Sequence, residues 1–118
     1  CAFLPGKEFF VEHQSICLSA LRERLQSEGK LSLFVHGESM LPTLSDGQQI
    51  TIRSADVIKI GDIIAYCLPG TDTNKIINII VHRVIFVRSA YVLTKGDNND
   101  FVDPLRVKIK DIIGIVAE

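Results

Sequence analysis

The sequence has little of what marks several functional classes. Its 118 residues carry a net charge of −1, so no basic footprint is there to meet a nucleic acid. No run approaches the ~20 apolar residues that a spanning helix needs. The most apolar stretch, "IINIIVHRVIFV", is short and carries Asn78, His82 and Arg83. No signal-peptide pattern opens the chain. The three cysteines, Cys1, Cys17 and Cys67, are odd in number and form no CxxC pair, which sets aside a disulfide framework and a zinc site. They read as small buried apolar residues of a reducing compartment, and a cytoplasmic location is the expectation. Internal repeats and low-complexity segments are lacking too. The chain opens on Cys1 rather than methionine, so a segment upstream is expected to have been removed or omitted. Any membrane association would run through such a segment.

What is there suits one folded domain. Hydrophobic residues make up 47% and charged residues 23%, and the mean hydropathy is +0.25. The apolar residues are largely isoleucine and valine, which favours strands. "SICLSALRERLQSE", residues 15–28, has the spacing of an amphipathic helix, with Leu18, Leu21 and Leu25 on one face and Arg22, Glu23 and Arg24 opposite; Gly29 is its stop. Strand patterns follow in "LSLFVH", around Ile50 and Ile52, over Ile63–Leu68, over 76–87 and in "YVLTK". "PGTDTNK" is a polar loop and "GDNND" a turn cluster. The closing "VKIKDIIGIVAE" reads as one more strand. These elements predict a mainly β fold, a coiled antiparallel half-barrel with one leading helix. Residues 1–30 form the N-terminal segment with the helix, and residues 31–118 the main domain.

The residues that can carry chemistry fall in three places. "HGESMLPTL", residues 36–44, sets Ser39 before the chain's single methionine, just after a strand-like run. A serine becomes a nucleophile only with a base for its proton and donors for the oxyanion. Of the histidines, His13 lies before the helix and His36 ends a strand, pointing elsewhere. His82 lies inside an apolar strand, where alternation groups it with Ile80 and Val84 and puts Arg83 on the other face with Val81 and Ile85. The plain alternative is a half-exposed strand whose polar residues meet water. In "TKGDNNDFVDP", Asp97, Asp100 and Asp103 suit ordinary turn chemistry. One of them can instead orient a histidine. A calcium site fits poorly, because the alternating ligands and closing glutamate are missing. Cys67 has no charged neighbour to make it a nucleophile.

Taken in order, "GESMLPTLSDGQQITI", "IKIGDIIAY", "IIVHRVI", "LTKGDNNDFVDP" and "DIIGIV" resemble the successive boxes of type I signal peptidases and the wider signal peptidase and SOS-repressor serine peptidase superfamily. The likeness covers about residues 32–118. It implies that Ser39 is the nucleophile and that Met40 and Pro42 shape its surroundings. It sets His82 where many relatives have a lysine base, which resembles the serine–histidine branch of the endoplasmic reticulum, archaea and sporulation. It gives Asp103 the assisting role and Asp97 a structural one, with Arg83 beside the base as a supporting residue. A lysine base must be desolvated to work near neutrality, whereas a histidine needs chiefly orientation. That makes an orienting carboxylate more valuable. Two departures stand out: Gly37 occupies a position where some relatives have a hydroxyl donor to the oxyanion, and the charged helix replaces the usual membrane helix. In this respect the chain resembles the compact S24/S26-type peptidases of bacteria.

The resemblance implies a serine endopeptidase that removes a leader or signal segment, bound in extended form, with small residues flanking the cut. It implies no cofactor or metal, no nucleic-acid partner, and leaves the oligomeric state open. The alternatives are a self-cleaving repressor-type regulatory domain and a non-catalytic peptide-binding module of the same fold. Asp97 is expected to bond local backbone N–H groups at the head of its turn.

Overall fold

The alternating apolar residues of the sequence become strands of one sheet. The computed structural model describes residues 2–3, 18–67 and 79–117. The expectations for Cys1, His13, Cys17, helix residues 15–17, the loop 69–75 and strand residues 76–78 lie outside these. In chain order the elements are β1 (Ala2–Phe3), α1 (Leu18–Glu28), β2 (Leu31–Val35), β3 (Gln49–Arg53), β4 (Ile63–Cys67), β5 (Ile79–Val87), β6 (Tyr91–Lys95), β7 (Val107–Lys108) and β8 (Ile112–Val116). All strands lie in one antiparallel sheet, ordered β1-β2-β3-β8-β4-β5-β6-β7. β1 also pairs with β5. The sheet thus coils back on itself, and the fold is the mainly β half-barrel with one leading helix.

The coiled sheet separates two apolar layers. Leu33, Ile50, Ile52, Ala65, Val81 and Met40 belong to one, which is sealed by Leu21 and Leu25 of α1. Ile64, Tyr66, Val84, Val92 and Val107 form the other. Alternate residues of β4 therefore enter opposite layers, which explains its unbroken apolar sequence. β5 divides likewise: Val81 enters the first layer, and Val84, with Ile80 packed against it, the second. α1 ends as its sequence suggests. Gly29 has a φ of 78° and its N–H donates to the Leu25 carbonyl at 2.8 Å, a left-handed C-cap that a side chain would strain. Among the described residues no helix is long and apolar enough to cross a membrane.

The closing segment differs from the single strand its alternation suggests. β7 pairs with β6, whereas β8 pairs with β3 and β4. The chain must cross from the sheet margin to its middle, and a 3₁₀ turn over Ile109–Asp111 makes that crossing. The Arg22 side chain of α1 donates to the Lys110 and Ile112 carbonyls there. Period-2 alternation survives such a break, so the pattern alone could not show it.

β8 fits between β3 and β4 only because position 114 has no side chain. A Cβ on Gly114 would stand 2.4 Å from the Arg53 carbonyl oxygen and 2.7 Å from Ile52 Cγ2. Backbone on one side cannot yield as a side-chain tip can. Gly114→Ala is expected to cost about 2–3 kcal/mol, the upper range for overpacking, read as a lowered thermal midpoint. An unchanged melt would mean that β3 and β8 can separate freely at this point.

Candidate active site

Three segments remote in sequence meet beside β5. Ser39 lies in the turn that joins β2 to β3. That turn starts at Gly37, whose φ of 99° suits glycine, and whose N–H donates to Asp46 Oδ1 at 2.8 Å. It is anchored by Met40, which is 2% exposed and packs in the first apolar layer. The Leu41–Pro42 peptide bond is cis. Among the described residues no acceptor takes the Ser39 N–H.

His82 is 8% exposed. Its Nε2 is 3.0 Å from Ser39 Oγ, and its Nδ1 is 2.6 Å from Asp103 Oδ2. A carboxylate only accepts, so Nδ1 carries the proton in this arrangement. In the neutral ring that leaves Nε2 as the acceptor for the Ser39 hydroxyl. The half-exposed strand is therefore not what His82 occupies: its polar atoms meet Ser39 and Asp103 rather than open water. Its neighbour Arg83 turns the other way, as alternation requires.

Asp97 has a different environment from the one its turn position suggests. Its carboxylate bonds no local N–H group. It takes Arg83 Nε on Oδ1 at 2.9 Å and Nη2 on Oδ2 at 2.7 Å, and Oδ2 also accepts from Thr43 Oγ1 at 2.6 Å. The fork-shaped guanidinium matches the carboxylate and outcompetes the turn amides. Hydrogen bonding to Arg83 is the main influence holding Asp97 below its ordinary value; partial burial opposes it and Thr43 adds to it. The Asp97 N–H donates to Met40 Sδ at 3.3 Å. Next to it, the Asn98 N–H reaches the Ser39 carbonyl at 2.8 Å, and Asn98 Nδ2 reaches the Glu38 carbonyl at 3.1 Å. This turn thus grips the main chain of the Ser39 segment on both sides. It sits so close that a Cβ on Gly96 would lie 2.6 Å from the Ser39 carbonyl oxygen.

Two polar residues in the site give no sequence signal. Thr94 is completely buried, and its Oγ1 is 2.7 Å from Asp103 Oδ2. Tyr66 OH lies 3.1 Å from Thr94 Oγ1 and 3.4 Å from Asp103 Oδ2. Each is an ordinary strand former in an apolar run, and only the pairing of β4, β5 and β6 brings them to Asp103. Asp100 is exposed on the turn. Among the described residues no group of three His, Cys, Asp or Glu could hold a metal ion. Cys67 is buried in the first layer, and burial pushes its thiol up to about 11, the opposite of an activated thiolate. His36 Nδ1 sits 3.7 Å from Asp46 Oδ1.

The Asp97 environment has a pH consequence. A carboxyl held low in the folded state adds stability that is fully present above its unfolded value near 4 and is lost as pH falls through the lower folded value. Asp97→Asn is expected to cost about 2 kcal/mol at neutral pH, the scale of a hydrogen bond to a charged group. The gap between the two thermal midpoints should shrink as pH drops below about 4. Melts at pH 7 and pH 3 test this; a gap that stays constant would mean that Asp97 titrates alike in both states.

The family model described as Peptidase S24-like matches residues 7–117 of the chain. A comparison with curated proteins found no match, and neither did one with solved structures.

Proposed function

Because the chain belongs to the Peptidase S24-like family, we propose that it is a serine endopeptidase in which Ser39 is the nucleophile, His82 the general base and Asp103 the group that orients the base. The observation that carries this reading is the unbroken hydrogen-bonded line from Ser39 Oγ through both His82 nitrogens to Asp103 Oδ2. Its lengths fall within ordinary hydrogen-bond reach.

The chemistry follows from the directions of those bonds. Ser39 Oγ attacks the peptide carbonyl carbon as its proton passes to His82 Nε2. Asp103 keeps the Nδ1 proton in place and steadies the imidazolium without taking that proton. The carbonyl oxygen becomes an oxyanion, for which the Ser39 N–H is a donor with no competing acceptor among the described residues. His82 then gives its new proton to the leaving amine, and the C–N bond breaks. An acyl-enzyme remains on Ser39, and water activated by the same imidazole hydrolyses it. Nothing in this cycle needs a cofactor. The serine–histidine pairing supports the branch without a lysine base. The substrate we propose is the leader or signal segment of a peptide or protein, presented in extended form.

The test uses a fluorophosphonate, which reports an activated serine without knowledge of the substrate, together with a panel of leader and signal peptides read by mass spectrometry. Label is expected on Ser39 alone. Ser39→Ala should abolish labelling and cleavage, and His82→Ala should slow both by several orders of magnitude. Asp103→Asn should remain folded and lose about 10²–10⁴-fold in turnover, the range set by a triad carboxylate. No label on Ser39, or a His82→Ala chain as reactive as the wild type, would rule the peptidase reading out. Cleavage confined to a segment of the chain itself, at a rate independent of protein concentration, would point to the self-cleaving regulatory alternative.

A further inference from the structure

Asp103 has two neighbours for which a three-residue mechanism has no use. Thr94 holds it at two points: the Thr94 carbonyl accepts the Asp103 N–H at 2.8 Å, and the Thr94 hydroxyl is 2.7 Å from Oδ2. Behind Thr94 stands the Tyr66 hydroxyl, at 3.1 Å. A carboxylate donates nothing, and a threonine hydroxyl has a single proton. The Thr94 proton is thus committed to Asp103, and its oxygen is left to accept from Tyr66. Burial pushes the Tyr66 phenol up to about 12, so it keeps its proton at any working pH. Every donor in the line therefore points toward Asp103, from Tyr66 through Thr94 on one side and from His82 on the other.

We propose that Thr94, backed by Tyr66, is the positioning residue of this centre: it clamps Asp103 at the angle at which Oδ2 meets His82 Nδ1. The proposal rests on the peptidase reading above. The Asp103 side chain is 19% exposed, so without the clamp it can turn toward water and give up the imidazole. The clamp shares a scaffold with the base, since Thr94 pairs with Val84 on β5, two residues beyond His82. A polar residue that is completely buried needs its hydrogen bonds, and both of Thr94's hydroxyl bonds lead along this line. A different role for Thr94, filling space beside Val84 and Val92, predicts different chemistry. Valine would fill that space as well without the proton. Serine would keep the proton and lose the methyl group.

The two roles therefore predict opposite orders for Thr94→Val and Thr94→Ser. Inactivation of the whole chain by a fluorophosphonate gives a limiting rate and a half-saturation concentration, with thermal melts run beside it. For a clamp, Thr94→Val lowers the limiting rate by about 10–100-fold with half-saturation unchanged, the scale of one buried donor to a charged group. Thr94→Ser recovers most of that loss although it melts earlier. Tyr66→Phe gives a smaller drop in the same direction. A Thr94→Val chain that reacts at the wild-type rate overturns the clamp and leaves the peptidase reading standing. A wild-type chain that is not labelled at Ser39 overturns that reading and the clamp with it. Should Thr94→Val not fold, Tyr66→Phe decides, because it removes only the oxygen that backs Thr94 and lies 3.4 Å from Asp103 Oδ2; an undiminished rate there counts against the clamp.

Discussion

The ion pair between Arg83 and Asp97 is what brings the parts of the site together. Arg83 projects from β5, and its guanidinium also donates to the Gly61 carbonyl at 2.9 Å, beside the start of β4. Asp97 adds Thr43 from the Ser39 segment. One carboxylate thus joins the β5 strand, the turn after β6 and the segment before β3. With that turn fixed, Asn98 and Gly96 close on the main chain of Ser39. Ser39 is placed from behind, through its backbone, and its hydroxyl is left for His82. Because His82 and Arg83 are adjacent on a strand, they must face opposite ways. The residue that assembles the site and the residue proposed as base are separated by one peptide unit and by the whole thickness of the sheet.

The two aspartates show how six residues of chain can divide two tasks. Asp97 has a full cation as partner, in a bidentate pair that keeps it ionised. A carboxylate so engaged has little left to give an imidazole. Among the described residues, Asp103 Oδ2 meets His82 and two hydroxyls. No permanent cation among the described residues satisfies it, which suits the orienting role proposed for it. Exchanging the partners would exchange the roles: a guanidinium on Asp103 would neutralise the charge that stabilises an imidazolium.

Much of this was legible in the sequence, for local reasons. Leu21 and Leu25 gave the buried face of α1, Gly29 gave its end, and the alternation through "IIVHRVIFV" separated His82 from Arg83. The ordered boxes around Ser39, His82 and Asp103 marked three segments that the structure brings within hydrogen-bond distance of one another. What was not legible depends on register between distant strands. Asp97 looked like a turn residue because turn chemistry is local, whereas its partner lies fourteen residues earlier on another strand. Thr94 and Tyr66 read as strand formers because nothing within a few residues distinguishes a threonine that packs from one that donates. The crossing at Ile109–Asp111 stayed hidden because two short strands with a turn between them keep the alternation of one long strand.

The position of the polar line between apolar neighbours sets how it can fail. Tyr66 and Val84 belong to the second apolar layer, Ile80 packs against it, and Thr94 on β6 pairs with Val84 of β5. Thr94 is completely buried, so a donor lost at that position is not replaced by solvent. In such surroundings each bond also strengthens its neighbours, and an unmatched group costs more than its bond was worth. A half-intact line is then the least favourable state, worse than either the complete set or an apolar filling of the same shape. At the outer end, Ser39 sits on a partly exposed turn where a peptide can reach it. The same line is buried at its Thr94 end and partly exposed at Ser39.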